Sequence, residues 1–215
     1  MNTQLKIDFV SDVSCPWCVI GLKSLEQALE RVSDVASAEL HFQPFELNPA
    51  IAAEGEDIAE HLARKYGASE EQAAKTREMI RARGAELGFR FEMDKRARIY
   101  NTFDAHRLLH WAEGEGRQRD LKMALFEAYF TKGDSPGDHA VLTRVAGEVG
   151  LDPARAAAIL ASDAYGAEVR AREQLYQSRG IHSVPAIVIN DRHLISGGQP
   201  PEVFEQALRQ IVAQG

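Results

Sequence analysis

Two residues in this chain have the type and spacing for redox chemistry. Cys15 and Cys18, separated by Pro16 and Trp17, are the only cysteines among its 215 residues. A pair so close together closes almost no loop, so it is of no use as a staple for a secreted scaffold. Two intervening residues do let a helix bring both sulfurs within disulfide reach. A sulfur at a helix start faces unpaired backbone N–H groups and the positive end of the helix dipole. Such a cysteine has its pKa drawn from about 8.5 down to roughly 3.5–7.5, which makes it a nucleophile near neutral pH. Cys15 is therefore expected to attack, and Cys18, one turn in and less exposed, to resolve. Pro16, with a fixed φ and no N–H to lose, suits the first helical position.

Other uses of the pair fit less well. A zinc site needs a second ligand pair, and neither a second cysteine doublet nor a histidine doublet at ligand spacing occurs. His106 and His110 stand four apart on a predicted helix, but the His-Glu-x-x-His pattern is absent, and packing or surface roles suit them better. No metal is expected. Two inert core cysteines would leave the strand-to-helix placement and Pro16 unexplained.

The elements that must position these sulfurs can be read from periodicity. Leu5 to Val10 alternates apolar and polar residues and predicts a half-buried strand running into the cysteines. After it, Cys18, Leu22, Leu25, Leu29 and Val32 form one apolar helical stripe, ended near Ser33-Asp34. Residues 38–45 read as a second strand limited by Pro44, which completes a βαβ opening. From about Asp57 to Arg179 the periodicity is helical, with no convincing strand. Within it, residues 54–98 carry ten acidic and ten basic side chains, read as solvated helix faces with mixed-sign pairs and not as a binding patch. At the end, 186–189 and 193–196 predict a hairpin turning at Asn190-Asp191. Gly197-Gly198 breaks it, and Pro200-Pro201 opens a last helix with Val203, Phe204, Ala207, Leu208, Ile211 and Val212 on its apolar face.

Composition removes several classes. With 45% hydrophobic and 27% charged residues the chain can bury a core and stay out of the disordered and fibrous classes. A formal charge of −7 argues against nucleic acid, whose affinity comes from neutralised phosphates. No run approaches the ~20 apolar residues of a membrane span, and the opening residues lack the basic-then-apolar signature of a signal peptide. A cytoplasmic address and no membrane partner are the expectations.

Four runs of residues carry a family resemblance: 8–18 (DFVSDVSCPWC), 44–49 (PFELNP), 100–107 (YNTFDAHR) and 180–186 (GIHSVPA). The chain resembles the thioredoxin-fold oxidoreductases, and more narrowly the DsbA-like group that includes FrnE proteins and the 2-hydroxychromene-2-carboxylate isomerases. The resemblance covers nearly the whole length. It implies an α/β thioredoxin fold with a large all-helical insertion between its βαβ and ββα halves. Residues 1–50 and 180–215 would form the thioredoxin-like domain and 51–179 the inserted helical domain.

The resemblance also implies that Val184-Pro185 is a cis peptide facing the cysteines, with the Val184 backbone N–H and C=O presented to an extended substrate. Pro16 and Trp17 would complete the redox motif. Asn101 and Thr102 fall on the segment that resembles the wall opposite the cysteines, although helix capping is the ordinary task of those residue types. Gly198 and Gln199 follow the last strand, where glutathione-binding members hold the γ-glutamyl group, but the acidic or hydroxyl residue often used there is missing. The isomerases and kappa-class glutathione transferases generally carry serine at the position of Cys15. The dithiol here favours thiol–disulfide exchange instead, with Cys15 attacking a substrate disulfide and Cys18 resolving the mixed disulfide. The expected protein is thus a protein disulfide oxidoreductase needing no cofactor beyond its own redox-active pair. Its partners would be thiol- or disulfide-containing proteins or small molecules. The alternative is a glutathione-dependent isomerase or transferase acting on a small molecule. A third reading is a redox-inactive peptide-binding module. A homodimer is expected by analogy alone.

Overall fold

The computed structural model describes residues 2–214. Its first strand, β1 (Thr3–Ser11), alternates only over its first half, and from Ile7 onward both faces are buried. The reason is its central place, between β2 (Ala36–Pro44) and β5 (Ala186–Ile189) in a four-stranded sheet of order β2-β1-β5-β6. β2 runs parallel to β1, with Thr3 opposite Ala36 and Ser11 opposite Pro44, and α1 (Pro16–Arg31) makes the crossover. β5 and β6 (His193–Ser196) are antiparallel. Asn190 (φ 52°) and Asp191 (φ 55°) give the tight turn between them, in the left-handed region that their short polar side chains tolerate. The last helix, α9 (Pro201–Gln214), lays Phe204, Leu208 and Ile211 against the core beside α1.

The middle of the chain supplies seven helices: α2 (Ile58–Tyr66), α3 (Glu70–Glu86), α4 (Phe103–Gly114), α5 (Gln118–Glu127), α6 (His139–Glu148), α7 (Pro153–Leu160) and α8 (Gly166–Ser178). The expectation of no strand here needs correcting. Two-residue strands β3 (Glu56–Asp57) and β4 (Arg98–Ile99) pair antiparallel. So short a ladder leaves no period to read. It depends on Gly55, in the left-handed region at φ 76°, where a Cβ would lie 2.6 Å from the Ile99 carbonyl oxygen.

Two large apolar clusters form most of the core, beside a smaller third around Tyr176 and Ile181, and the larger holds the cysteines. One runs from Phe9, Leu22 and Phe204 through Cys15 and Cys18 to Ile80, Phe91, Phe126, Tyr129 and Phe130 of the helical middle. The other unites Leu108, Leu121, Leu142, Val145 and Ile159 with Val13. Each such buried side chain contributes roughly 1.5–3 kcal/mol, so the helical middle is held to the sheet by the same force that holds the sheet together. The exposed backbone edge of β2 is partly closed by α5. There Phe42 N–H donates to Gln118 Oε1 (2.9 Å) and Gln118 Nε2 donates to the Phe42 carbonyl (3.0 Å). No described helix is long and apolar enough to cross a membrane.

Candidate active site

Cys15 is the N-cap residue of α1, with Pro16 at the first helical position. Its Sγ points across to β5, 3.8 Å from the Val184 carbonyl oxygen, and the Val184–Pro185 peptide is cis. Both sulfurs are free thiols, with Cys15 4% exposed and Cys18 fully buried. Burial pushes the Cys18 pKa well up, the neighbouring Cys15 sulfur adds to that, and the Lys122 ammonium opposes it.

Beneath the sulfurs lies a layer of buried polar side chains. Asp12, 1% exposed, accepts from the backbone N–H of Ser14 (3.1 Å) and of Leu47 (2.7 Å), tying the cysteine loop to the 45–47 turn. His106 from α4 is 3% exposed, with Nε2 3.1 Å from the Phe45 carbonyl and 3.7 Å from Asp12 Oδ1. Burial alone would raise the Asp12 pKa, but the contact and charge of His106 and the two N–H donors hold it below its usual range. Lys122 of α5 is fully buried, its Nζ 5.1 Å from the Phe126 ring centre. Burial draws its pKa down to about 8 against the opposing attraction of Cys18, Asp12 and Cys15. A sulfur at a helix start, a buried partner thiol and a buried cation form an arrangement suited to exchanging sulfur–sulfur bonds.

Comparison with known proteins places this arrangement. The model of the DSBA-like thioredoxin domain matches residues 6–209. The chain belongs to that family. A probable DsbA oxidoreductase from Streptomyces coelicolor is 35% identical, with a TM-score of 0.90 over 96% of this chain and 89% of that one. The uncharacterized protein YwbO of Bacillus subtilis is 27% identical over 209 residues, 97% of this chain and 96% of its own. A 2-hydroxychromene-2-carboxylate isomerase, 15% identical with a TM-score of 0.68 over 97% of both chains, shares the fold. The family is one of thiol oxidoreductases, on the DsbA-like thioredoxin fold with a helical insertion.

Within this DSBA-like domain the residues singled out from sequence fall in three places. Pro16, Trp17, Val184 and Pro185 stand with the cysteines, and Trp17 and Val184, both half-buried, pack against the same core as the sulfurs. Gly198 lies behind the start of α1, where a Cβ would meet the Trp17 carbonyl oxygen at 2.9 Å. Gln199 donates from Nε2 to the Ser196 carbonyl (2.8 Å). Asn101 accepts from Phe103 N–H (2.9 Å) and donates to the Pro49 carbonyl (3.2 Å), while Thr102 is the buried N-cap of α4 and makes no side-chain cap. His106 and His110 do not converge: His110 instead packs beside Tyr165, ring centres 5.3 Å apart.

Sequence reasoning missed Asp12 and Lys122, and passed over Arg96. Lys122 had a readable signal, since it falls on the buried stripe of α5 and its continuation, in line with Gln118, Leu125, Phe126 and Tyr129. The reading of 54–98 as solvated helix faces describes α2 and α3, but His61 (4% exposed) and Arg96 (9% exposed) depart from it.

Proposed function

We propose that this protein is a thiol–disulfide oxidoreductase of the cytoplasm that acts through Cys15 and Cys18. What supports the reading is one juxtaposition: Cys15 at the N-terminus of α1, one helical turn from a fully buried Cys18 and 3.8 Å from the Val184 carbonyl. The helix N-terminus favours negative charge on the Cys15 sulfur. That thiolate attacks one sulfur of a substrate disulfide. The substrate S–S bond breaks, one thiol leaves with a proton from solvent, and a mixed disulfide on Cys15 remains. Cys18 then gives up its proton and attacks the Cys15 sulfur, releasing the second thiol. The Cys15–Cys18 disulfide that remains has taken the place of the substrate's own, a two-electron transfer, and run backwards the same steps oxidise a dithiol. Lys122 supplies the buried counter-charge that the forming Cys18 thiolate needs in so apolar a place. The Val184 backbone, beside the attacking sulfur, is the docking edge for an extended substrate.

The test is the reduction of insulin by dithiothreitol with wild type, Cys15→Ser and Cys18→Ser. Wild type should accelerate it and Cys15→Ser should return the rate to background. Cys18→Ser should accumulate a mixed disulfide detectable by mass. Equal rates for wild type and Cys15→Ser would remove the proposal.

A further inference from the structure

Two of the runs that carry the family resemblance, 44–49 and 100–107, take no part in the sulfur chemistry itself. In the fold they lie against each other. Asn101 Nδ2 donates to the Pro49 carbonyl (3.2 Å), and His106 on α4 has its Nε2 3.1 Å from the Phe45 carbonyl. The same nitrogen is 3.7 Å from Oδ1 of Asp12, which belongs to the run that holds the cysteines. Three of the runs therefore meet at one imidazole, and it is only 3% exposed. The last run lies alongside, with Ile181 and Ala186 in the apolar cluster of Phe45.

The acceptors around this imidazole fix what it does. A carbonyl oxygen and a carboxylate oxygen both face Nε2, which assigns the hydrogen to that nitrogen. Asp12 in turn frames the cysteine loop. Its Oδ1 accepts from Ser14 N–H (3.1 Å), its Oδ2 from Leu47 N–H (2.7 Å), and its backbone carbonyl from the N–H of Cys15 itself (3.2 Å). Only the ionised carboxylate offers both oxygens as acceptors, with no hydrogen of its own in the way. Burial works against that form, and contact with His106 is foremost among what overcomes it. Lys122 of α5 and Lys65 of α2 act on Asp12 from farther off, and Glu173 of α8 turns its charge toward His106. An apolar side chain of equal size would join α4 to the 45–47 turn without the cost of burying an imidazole. It could not answer Asp12.

We infer that His106 is a positioning residue of the redox site: its Nε2–H, shared between Phe45 and Asp12, holds the carboxylate that sets the loop from which Cys15 attacks. This rests on the thiol–disulfide reading above and adds a residue to it. His106 acts through Asp12 and not on the sulfur itself. Its removal lets the Asp12–Cys15 loop and the 45–47 turn drift apart, and the attacking sulfur with them, while the fold around α4 persists.

The experiment mixes reduced protein with excess dithiodipyridine, a neutral disulfide. The Cys15 sulfur attacks, the S–S bond of the reagent breaks, and one thiopyridone leaves and is followed by its absorbance; Cys18 then displaces the second, so the first phase reads the attack. His106→Leu should slow that phase about tenfold, a loss within what a small misplacement of a reacting atom brings. His106→Gln, whose amide reaches the place of Nε2, should return to within about threefold of wild type, whereas His106→Asn, one carbon shorter, should be as slow as His106→Leu. Asp12→Asn should be slow as well, and the double variant Asp12→Asn, His106→Leu no slower than the slower single one. A folded His106→Leu that reacts as wild type does, glutamine and asparagine variants of equal rate, or losses at the two sites that multiply would each overturn the inference and leave the oxidoreductase reading standing. A wild type that releases no thiopyridone would remove both. The contrast between His106→Gln and His106→Asn decides the matter if His106→Leu does not fold.

Discussion

The layer beneath the cysteines and the outer helices α2 and α3 are built from the same charged side chains in opposite solvents. Asp12 and Lys122 are buried to within 1% of completely; Asp12 is held by His106 and two backbone N–H groups, and Lys122 feels Cys18, Asp12 and Cys15. Along α3, Lys75 meets Glu71 at 2.7 Å with more than 70% of each side chain in water, and Arg81 meets Glu78 at 2.9 Å in a similar setting. Distances alone would rank these exposed pairs as the stronger. Solvent reverses the order, because water screens the exposed pairs and replaces them freely, whereas nothing replaces a buried partner. Chemistry is therefore concentrated where charge is hard to keep, and solubility where it is easy.

The hardest blow to that contrast comes from Asp12→Ala. The substitution strands two backbone N–H donors, at Ser14 and Leu47, and takes the counter-charge from Lys122 and His106. Removing a buried carboxylate that its surroundings hold in the charged form costs about 3–5 kcal/mol, to be measured by urea denaturation of the reduced protein. The Asp12 pKa is held below 3.8, so its stabilisation is complete above that value and is lost as pH falls beneath it. A loss under 1 kcal/mol would mean that the buried layer is no more consequential than the surface.

Lys122→Met gives the next largest effect, with the opposite sign. The ordinary lysine value of 10.5 is drawn down to about 8 in the fold. Below pH 8 both folded and unfolded chains carry the proton, and the folded one bears the full cost of a buried ammonium. Between 8 and 10.5 the unfolded chain binds more protons, so stability rises with pH, and above 10.5 the cost is gone. At 1.36 kcal/mol per pKa unit the methionine variant gains about 3 kcal/mol near neutral pH, and the gain shrinks toward zero near pH 10.5. The same variant should also resolve mixed disulfides more slowly, since Cys18 loses the cation that opposes its raised pKa. Rapid-quench trapping of the mixed disulfide measures it.

This contrast also explains what could be read from the sequence. The βαβ and ββα ends were legible because period-two and period-3.6 patterns survive in a linear string, and the Cys15-Pro16-Trp17-Cys18 run announces both its element and its chemistry. β1 misled in part: a central strand is covered on both faces, and its alternation fades where Ile7 to Ser11 go under. Lys122 and Arg96 were obscured by the signal that made the surface easy to read. Charged residues are mostly solvated, and only the packing of a distant turn against residues 90–96 buries the second of them. A stripe position such as that of Lys122 can be found by counting along α5, whereas nothing local marks Arg96.

The smallest effect sets the other limit. Lys75→Ala removes a pair with glutamate four residues N-terminal to lysine on an exposed helix, an orientation worth about 0.2–0.5 kcal/mol. Alanine is also the better helix former, which returns part of that loss. The net change should stay within about 0.5 kcal/mol and should disappear near 1 M salt, where screening acts within roughly 3 Å. Asp12→Ala should keep nearly all of its effect at the same salt, because no ion reaches a side chain that is 1% exposed. Denaturation of both variants at low and high salt therefore separates the two regions by a quantity other than size. If Lys75→Ala cost more than 1.5 kcal/mol, or if salt erased the cost of Asp12→Ala, burial would not be what distinguishes the floor of the site from its outer helices.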